Sequence, residues 1–518
     1  MANKTLFKSY RGNLLPQADT VNEAGGGAYR FSDKHALAQY AATGCLNGAF
    51  YADALDQLAT VLGLCARVEA EFIARCAVYC REKGFMKDLP AMLCAVLSVK
   101  DGALLERIFP RVIDNGRMLR TFVQIVRSGA VGRKSLGSRP RRLVRRWLDS
   151  RNDDALFRAS VGNDPSMADV IRMVHPRPAT ASRAALYAYM IGRDYDAAAL
   201  PGVVRALEDF KAGRTREVPD VPFQFLSSLE LDRDTWTAIA LNSPWQALRQ
   251  NLNTFARHGV YKDKAVVKTL ADRIRDPEQI ARSRVFPYQL LVAYTQTGAD
   301  VPPAIREALQ DAMELAIANV PAFEGKVYVC PDVSGSMQSP VTGYRPGATS
   351  VVRCVEVAAL VAAAVLRRNP DAEVIPFSDD VVKVNLNPRD SVMTNAQILS
   401  RLPAGGTNCS APLAMLNRRH ATGDLVFYVS DNQSWIDSTR HGATATMRQW
   451  AEFKRRSPGA KMVCLDLQPY GSTQVKDGED ILNVGGFADE VFRVVSLFAK
   501  GELGGEHWLK VIESVPID

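Results

Sequence analysis

The spacing of apolar residues changes once along the chain, close to Pro321, and this change limits the possible folds more than any other sequence feature. Before it, apolar residues recur three and four positions apart in many short segments, as in amphipathic helices. Glycines such as Gly84, Gly102 and Gly116 separate these segments. We therefore expect an all-α region of short, paired helices, which is typical of a helical-repeat solenoid.

After Pro321, segments typical of buried strands alternate with segments typical of helices. Such alternation predicts an α/β domain with a doubly wound parallel sheet and helices on both faces. A chain of 518 residues is also longer than one hydrophobic core usually serves. The predicted organisation is therefore multidomain: a loosely ordered N-terminal segment at 1–30, a helical domain at 31–320 and an α/β domain at 321–518.

Oxygen-bearing side chains follow two of the predicted buried strands. Asp332, Ser334 and Ser336 alternate along the loop after the first strand, so their oxygens can face one point. Thr407 lies in a later glycine-rich turn, and Asp431 ends another apolar run. Hard cations such as Mg²⁺ prefer oxygen ligands, and open α/β sheets bind ligands at the carboxyl ends of their strands. The alternative is that Asp332 and Ser336 only cap turns.

Asp-x-Ser-x-Ser, followed by Thr and then Asp, resembles the metal-ion-dependent adhesion site of von Willebrand factor A domains. The resemblance implies that Ser334, Ser336 and Thr407 bind Mg²⁺ or Mn²⁺ directly. It implies that Asp332 and Asp431 bind the cation directly or through water. One coordination position would stay open, and an acidic side chain of a partner protein is a candidate ligand for it.

Positive charge is concentrated before Pro321. From that residue onward the chain has 20 Lys and Arg against 22 Asp and Glu, whereas the preceding part has 44 basic and 34 acidic residues. The excess of positive charge in the first part suggests a polyanionic partner. A solvated basic surface without a partner would give the same composition.

The densest basic run lies between Gly132 and Trp147. Pro140 marks the first turn of a predicted helix, on which arginines recur four residues apart and form two ridges. One ridge is Arg141 with Arg145 and the other is Arg142 with Arg146. The planar guanidinium group binds phosphate with two donors, so this helix is a candidate nucleic-acid surface. The alternative is a solvated helix face whose charge is balanced by nearby aspartates.

Several other stretches carry a second resemblance, and it spans about residues 30–500. They include Arg172-Met-Val-His-Pro-Arg-Pro178, Ser283-Arg-Val-Phe-Pro-Tyr-Gln-Leu-Leu291 and Pro403-Ala-Gly-Gly-Thr-Asn-Cys-Ser410. Together they are similar to the Ro autoantigen family, also called TROVE-domain proteins, and to its bacterial members in particular. The resemblance implies that the helical repeats are HEAT-like and close into a ring with a central hole.

The same resemblance implies a ribonucleoprotein function. Small noncoding Y RNAs bind the outer face of the ring, and the hole admits single-stranded 3′ ends of misfolded RNA. Bacterial members tether a Y RNA to a 3′ exoribonuclease, polynucleotide phosphorylase, and act in RNA quality control, rRNA processing and decay.

Under the Ro resemblance, the basic residues of several segments become candidate RNA contacts. The candidates are Arg133, Lys134, Arg139, Arg141, Arg142, Arg145, Arg158, Arg172, His175 and Arg177. Arg158 and His175 are placed among them by similarity to RNA-contacting positions of the family, although a single histidine is more often structural. Arg249 and Lys262 are further possible contacts.

The sequence indicates a binding protein rather than an enzyme. It has no Gly-x-x-x-x-Gly-Lys loop and no Cys/His nucleophile pair, and we find no general base beside the candidate cation site that a hydrolase would need. RNA turnover would then require a partner nuclease. The alternative function is a protein–protein adhesion module that uses the cation site, with RNA binding incidental.

The cysteines and the hydropathy of the chain predict a soluble, cytoplasmic protein without membrane contact. The nine cysteines lie mostly in apolar runs, as expected for reduced and buried thiols. The N-terminal residues are polar, without the apolar stretch of a signal peptide. The longest apolar run, at 357–366, is far shorter than the roughly 20 residues that span a bilayer.

Overall fold

The structure of the protein is a computed structural model. It describes residues 15–283, 285, 287–317, 320–344, 351–438, 442–503 and 507–517. Within them, no helix is both long and apolar enough to cross a membrane. None of the nine cysteines forms a disulfide, and eight of them are buried.

Eighteen α-helices precede Pro321 in the described residues. They are α1 Asp33–Thr43, α2 Ala54–Arg67, α3 Ala70–Glu82, α4 Asp88–Lys100, α5 Gly102–Val112, α6 Gly116–Ser128, α7 Ser138–Asp149, α8 Asp153–Arg158, α9 Met167–Val174, α10 Ala181–Ile191, α11 Gly202–Lys211, α12 Arg233–Asn242, α13 Trp245–Gln250, α14 Leu252–Arg257, α15 Lys264–Ile274, α16 Pro277–Ser283, α17 Pro287–Thr295 and α18 Pro303–Ala316. The predicted all-α region is therefore confirmed.

Helix α6 illustrates how the sequence produces these short helices. Asn115 caps its start, because the Asn115 side chain accepts a hydrogen bond from the backbone N–H of Met118. Gly129 ends it in the left-handed conformation, with φ of 93°, which costs glycine little. Between the caps, apolar residues such as Phe122 and Val126 are buried along one face. Capped ends and one buried face make each helix a unit that packs against its neighbours.

One predicted helix is divided in two. The apolar spacing predicts a single helix over 245–255, whereas the structure has α13 and α14 with Asn251 between them. The Asn251 side-chain amide donates a hydrogen bond to the carbonyl oxygen of Ala247, 2.8 Å away. Asparagine competes in this way for backbone groups that a continuous helix would use, so the helix breaks at this residue.

The described residues also contain six further α-helices and eight strands. The helices are α19 Cys354–Arg368, α20 Val392–Ser400, α21 Ala411–Arg418, α22 Ala445–Arg456, α23 Asp489–Ala499 and α24 His507–Glu513. The strands are β1 Thr20–Val21, β2 Gly27–Arg30, β3 Val327–Pro331, β4 Glu373–Val374, β5 Leu425–Ser430, β6 Lys461–Asp466, β7 Ser472–Thr473 and β8 Ile481–Gly485.

Five of the strands form a parallel sheet in the order β4-β3-β5-β6-β8. Val327 and Val329 of β3 face one hydrophobic core together with α19. Tyr328 and Cys330 of the same strand face a second core together with α21 and α22. Both faces of the sheet are therefore covered, which confirms the predicted doubly wound domain, hereafter the A domain.

The strand order contains a switch point between β3 and β5. The chain leaves β3 through α19 to the edge strand β4, and returns through α21 to β5 on the other side of β3. Because α19 follows β3 on one face of the sheet and α22 follows β5 on the other face, the two connections diverge above the carboxyl ends of β3 and β5. This is the place where open α/β sheets form ligand-binding crevices.

The N-terminal segment is more ordered than we expected. Residues 1–14 lie outside the described residues, but the expectation of a loose segment is wrong for residues 20–30, which form β1 and β2. Strand β2 pairs antiparallel with β7 of the A domain, with Tyr29 opposite Thr473. The Tyr29 side chain is only 1% exposed and lies in the second core. The burial of this aromatic ring explains the order, and residues 15–30 are called the N-terminal arm below.

The end of the chain makes the reciprocal contact with the helical region. Helix α24 packs on α3, where the Trp508 indole N–H donates a hydrogen bond to the hydroxyl of Tyr79 over 3.2 Å. Arg75 of α3 donates to the carbonyl oxygens of Glu513 and Val515, each 2.6 Å away. The last helices of the region, α17 and α18, contact α19 and α20. Both ends of the helical region thus pack on the A domain.

Candidate metal centre and basic surface

The first two candidate ligands lie at the switch point. Asp332 directly follows β3 and Asp431 directly follows β5. The two strands are adjacent, so their carboxyl ends place both aspartates in one crevice. Asp332 is 0% exposed and Asp431 is 2% exposed, which is rare for carboxylates unless they are paired with a cation or with hydrogen-bond donors.

Both oxygens of the Asp332 carboxylate have donors. Its Oδ1 accepts a hydrogen bond from the backbone N–H of Ser334, 2.8 Å away, and its Oδ2 accepts one from the hydroxyl of Ser430, 2.5 Å away. The hydroxyl oxygens of Ser334 and Ser336 are 3.3 Å apart. The sequence argument missed Ser430, although its place just before Asp431 at the end of a strand could have indicated it.

Asp431 has an oxygen that lacks any partner. Its Oδ1 accepts from the backbone N–H of Gln433 over 3.2 Å, whereas its Oδ2 is buried without a hydrogen bond. An unpartnered buried charge is costly. Accordingly, burial raises the pKa of Asp431. The pKa of Asp332 is raised to about 7, mainly by burial and to a lesser extent by the negative charge of Asp431. A cation is the group that would satisfy this oxygen.

The third candidate segment, the glycine-rich turn that contains Thr407, lies beside the crevice that holds the two aspartates. Thr407 is 1% exposed, and its carbonyl oxygen accepts hydrogen bonds from the backbone N–H groups of Trp435 and Ile436. The preceding turn is tied to the first loop, because Gly335 N–H donates to the carbonyl oxygen of Gly405 over 2.8 Å. The structure therefore brings all three predicted segments together.

The donor set suits a hard cation. It offers two carboxylates and three hydroxyls, the oxygen ligands that Mg²⁺ and Mn²⁺ accept, and one carboxylate oxygen has no other partner. Within the described residues, no group of three His, Cys, Asp or Glu side chains could hold a metal. The candidate site thus depends on its hydroxyl groups.

A third buried carboxylate, that of Asp466, lies near the site at the end of β6. Gln39 of α1 donates to its Oδ2 over 2.6 Å, and the Asn432 amide donates to its Oδ1. The pKa of Asp466 is raised well above its ordinary value, mainly by burial and to a lesser extent by the negative charge of Asp431. Because both of its oxygens already accept hydrogen bonds, Asp466 differs from Asp431 and is not a candidate ligand.

Tyr51 lies at the mouth of the site, on the loop between α1 and α2 of the helical region. The backbone N–H of Tyr51 donates a hydrogen bond to the hydroxyl of Tyr470 over 3.4 Å. Burial of the ring and the charge of Asp431 raise the pKa of Tyr51 to about 12. Nothing in the sequence pattern indicated this residue, because it comes from the other region of the chain.

The second candidate surface is helix α7, whose two arginine ridges have different surroundings. On one ridge, Arg142 and Arg146 form ion pairs with Glu106 of α5, with N–O distances of 3.1 and 2.6 Å. Arg139 lies 4.0 Å from the same carboxylate. Hydrogen bonding from Arg146 lowers the pKa of Glu106, which therefore stays ionised and partly neutralises this ridge.

The other ridge faces the end of α9. Arg145 donates a hydrogen bond to the carbonyl oxygen of Val174, 2.6 Å away. His175 follows with φ of 47° and an exposed side chain, and Arg177 is exposed as well. The Arg141 side chain is exposed and has no hydrogen bond or ion pair with any described residue. We call Arg141, Arg145, His175 and Arg177 the open ridge.

Comparison with known proteins identifies the type of the A domain and shows which proteins resemble the whole chain. Residues 326–499 match the family model described as the Ro60 vWA domain. Over 524 aligned residues the chain is 26% identical to RNA-binding protein RO60 of Deinococcus radiodurans, covering 94% of this chain and 97% of that protein. Residues 326–499 thus form a vWA domain of the Ro60 type, and the chain as a whole is similar to Ro proteins.

Two further matches agree with this similarity. RNA-binding protein RO60 of Caenorhabditis elegans is 25% identical over 281 residues, which cover 52% of this chain and 42% of that protein. The crystal structure of the Deinococcus radiodurans Ro (RSR) protein superposes with a TM-score of 0.63 at 22% identity, covering 91% of this chain and all of that one. That structural likeness confirms that the fold of the chain is a helical region followed by a von Willebrand factor A domain.

The remaining predicted RNA contacts are spread over the helical region. Arg133 donates to the carbonyl oxygen of Ser98 over 2.9 Å, whereas Lys134 is exposed. Arg158 pairs with Asp220 at 2.7 Å. Arg172 pairs with an aspartate one turn earlier in α9 at 3.4 Å and donates to a backbone carbonyl at the end of α10. The structure therefore places them on the surface without gathering them into one cluster.

One possible contact is excluded by burial. Arg249 is 7% exposed and donates to the carbonyl oxygen of Gln289 over 2.8 Å, which connects α13 to α17. An RNA backbone cannot reach a guanidinium group inside the helical packing, so the suggestion of an RNA contact at Arg249 was wrong. Lys262 is exposed and stays a prediction.

Proposed function

We propose that this protein is the RNA-binding scaffold of a ribonucleoprotein. The observation that carries the proposal is the open ridge, where exposed cationic groups lie around a solvent-exposed histidine at the end of α9. Relatives along most of the chain bear the name RNA-binding protein. Unpaired arginines on a net-positive region supply the phosphate contacts that dominate affinity for nucleic acids.

The finer assignments are also proposals. We propose a small noncoding Y RNA as the structured ligand on the outer surface of the helical region. Single-stranded 3′ ends of misfolded RNA would enter a hole enclosed by the helices, and the protein would act in RNA quality control, rRNA processing and decay. The chemistry would come from a 3′ exoribonuclease partner of the polynucleotide phosphorylase type, since the proposed role of this chain is binding rather than catalysis.

The test compares the two ridges of α7 in the full-length protein. Arg141→Gln with Arg145→Gln removes two charges from the open ridge, and Arg142→Gln with Arg146→Gln removes two charges from the ridge paired with Glu106. Filter binding of a structured small RNA over a salt series measures the slope of log affinity against log salt. We expect the first variant to flatten that slope by about one to two units, at roughly 0.7–0.9 per phosphate contact.

Because both variants lose the same net charge, a difference between them reports direct contact rather than the overall field. Circular dichroism checks that the helical content is intact in both. Equal slopes and affinities for the two variants would contradict the open ridge as the RNA surface.

For the A domain we propose that Asp332, Ser334, Ser336, Thr407 and Asp431 hold one Mg²⁺ or Mn²⁺ ion. The unpartnered, buried Oδ2 of Asp431 supports this assignment. The bound ion would supply a positive centre for an anionic ligand. Titration calorimetry of Ser334→Ala with Ser336→Ala should show no cation binding, whereas Ser410→Ala, outside the donor set, should bind as the wild type does. Unchanged affinity in the double variant would contradict the site.

A second function, protein–protein adhesion through the cation, is favoured by apolar side chains around the site. Phe50, Tyr344, Trp435 and Ile436 are all large, hydrophobic and exposed, at 49, 54, 47 and 39%. Such side chains often anchor protein partners, and an acidic residue of the partner would bind the cation. The ultraviolet absorbance ratio of the purified protein, with and without nuclease treatment, separates the two functions: a sample free of RNA favours adhesion.

A further inference from the structure

We propose that Arg120 of α6 is the centre of a phosphate-binding site in the helical region, and that the phosphate belongs to an RNA strand lying in the groove between α6 and α9. This inference rests on the proposed RNA-binding function, and it adds a site that lies outside the open ridge. It is carried by the burial of Arg120 and by the lack of an anionic partner for this side chain among the described residues.

Arg120 is a buried arginine whose hydrogen-bonding capacity is almost unused. The residue is only 7% exposed. Its side chain makes one hydrogen bond within the described residues, from Nη1 to the carbonyl oxygen of Ala159, and this bond is long at 3.5 Å. A guanidinium group has five N–H donors, and a buried charge is costly unless it is paired. Arg120 therefore lacks the partner of opposite charge that its burial requires.

Arg249 is equally buried and shows how the protein satisfies such a side chain. Its Nε and Nη2 donate to Oε1 of Gln246 over 3.2 and 3.0 Å, and its Nη1 donates to the carbonyl oxygen of Gln289 over 2.8 Å. The burial of Arg249 is thus offset by contacts within the protein, whereas the burial of Arg120 is not. This difference indicates that the partner of Arg120 is a ligand.

The charges around Arg120 favour an anion. Burial, and to a lesser extent the like charge of Arg117, lower the pKa of Arg120. Arg117 is exposed, and its ion pair with Asp88 of α4 is loose at 3.7 Å. A phosphate group at Arg120 would be attracted by both arginines, and the planar guanidinium group binds phosphate with two donors.

The loop between α8 and α9 leaves room for a ligand beside the guanidinium group. Gly162 of this loop is exposed and lies against Arg120, since a Cβ at Gly162 would be only 2.6 Å from Nη2. Its φ of 107° also requires glycine. The backbone N–H of Gly162 has no hydrogen bond with any described residue, so it offers a further donor of the kind that anion sites use.

The same loop borders a groove that suits a polymer better than a free ion. Asp164 and Pro165 line this groove of about 660 Å³ between α6 and α9, together with Arg127 of α6. Arg127 follows Arg120 by two helical turns, or roughly 10 Å. It is exposed, donates to the sulfur of Met173 and has no ion pair within the described part of the chain. An RNA strand could place one phosphate at each arginine, whereas a single phosphate ion could not.

Two acidic residues also line the groove. Asp169 is paired with Arg172 at 3.4 Å, and Asp164 has no ion pair with a described residue. Arg120 and Arg127 together outweigh this one unpaired carboxylate, so the site and the groove keep a positive charge.

The first test measures the response of the full-length protein to inorganic phosphate. Arg120→Met keeps the length and the apolar stem of the side chain, and Arg455→Met removes one charge from an exposed arginine of the A domain as the control. Thermal unfolding compares phosphate with chloride at equal ionic strength. Phosphate should raise the unfolding temperature of the wild type and of Arg455→Met, and this rise should be largely lost in Arg120→Met. In chloride, Arg120→Met should be at least as stable as the wild type, because it has no unpaired buried charge.

The second test measures RNA through filter binding of an oligouridine strand over a salt series. Arg120→Met should bind the strand about tenfold more weakly, the effect of one charge-assisted contact. Its slope of log affinity against log salt should be flatter by roughly 0.7, the value for one phosphate of a single strand. Arg127→Gln should flatten the slope by a similar amount, and Arg455→Met should change neither quantity.

Equal responses of the wild type and Arg120→Met to phosphate would overturn the site. A marked loss of stability of Arg120→Met in chloride would overturn it as well, because Arg120 would then support the fold through contacts within the protein. A phosphate response without any change in oligouridine binding would overturn the RNA strand as the occupant. If Arg120→Met weakens RNA binding and the variant with Arg141→Gln and Arg145→Gln does not, the open ridge fails and this site stands, whereas the reverse result removes this site alone.

Discussion

The proposed cation site and the open ridge are built on opposite principles. In the A domain the functional groups are buried, and Asp431 keeps an oxygen without a partner inside the protein. On α7 the functional groups are exposed, and what distinguishes the ridges is how far Glu106 has already neutralised one of them. A buried polar group without a hydrogen-bond partner indicates that a ligand is missing. An exposed charged group indicates a ligand only after the opposite charges beside it have been taken into account.

The comparison also separates two kinds of specificity. The buried site has a fixed donor set, so it should discriminate among cations by size and ligand type. The open ridge offers charge in a broad arrangement, so it should bind many RNAs with an affinity that depends on salt. Three predictions follow this contrast in order of expected effect.

The largest effect is expected from Asp431→Asn. Folding raises the pKa of both aspartates, so between about pH 4 and 7 the folded protein binds more protons than the unfolded one, and stability falls as pH rises through this range. At pH 8 without divalent cations the variant should therefore be more stable than the wild type, by on the order of a few kcal/mol. With saturating Mg²⁺ the wild type should instead be the more stable protein, because only the wild type binds the ion.

Thermal unfolding at pH 4 and pH 8, each with and without Mg²⁺, measures this difference. At pH 4 the two proteins should have nearly equal stability. If the wild type were the more stable protein at pH 8 without cations, the unpartnered carboxylate would not be a source of instability, and the contrast between the two sites would fail.

A smaller effect is expected from Glu106→Gln, which removes the carboxylate that pairs with the second ridge of α7. Arg142 and Arg146 then become available to phosphate, so RNA affinity should rise several-fold and the salt slope should steepen by about one to two units. The control Glu82→Gln makes the same charge change at an ion pair with Arg111, away from α7. Equal effects of the two substitutions on RNA binding would show that only net charge matters.

The smallest effect is expected from His175→Asn. Asparagine tolerates the left-handed backbone at this position, so the substitution tests the imidazole without straining the turn. Affinity for a structured small RNA should fall about two- to fivefold, with little change in salt slope, because one hydrogen-bonding group is lost while the arginines remain. His420→Asn is the matched control, since His420 is also an exposed left-handed residue but lies in the A domain. Equal losses from both variants would exclude a direct contact by His175.

Much of the fold, and the meeting of the two candidate aspartates, could be predicted because their signals are local. The buried strands β3 and β5 are apolar throughout, and the polar residue after each one marks the sheet edge. Adjacent parallel strands then place Asp332 and Asp431 together without further information. Tyr51 could not be found in this way, because its place depends on how the helical region docks on the A domain.

The basic surface shows where sequence reasoning reaches its limit. The four-residue spacing indicates correctly that α7 has arginine ridges over a buried face with Trp147. It does not indicate that Glu106, from α5, reaches one ridge, or that Arg145 bonds to Val174 at the end of α9. These contacts join residues far apart in sequence, and helical periodicity carries no information about them. The same reason explains the unexpected order of the N-terminal arm.

The reciprocal packing of the two chain ends has a consequence for biosynthesis. The N-terminal arm pairs with Ser472 and Thr473, so a ribosome working at about 5–20 residues per second delivers the partner of the arm on the order of 20–90 s after the arm itself. During that interval Tyr29 has no core to enter. Tyr79 of the helical region likewise stays uncovered until Trp508 has been synthesised. We therefore expect nascent chains to expose the arm until residues 472 and 473 have been made, and Tyr79 until residue 508 has been made, so that chaperones can bind these surfaces during synthesis.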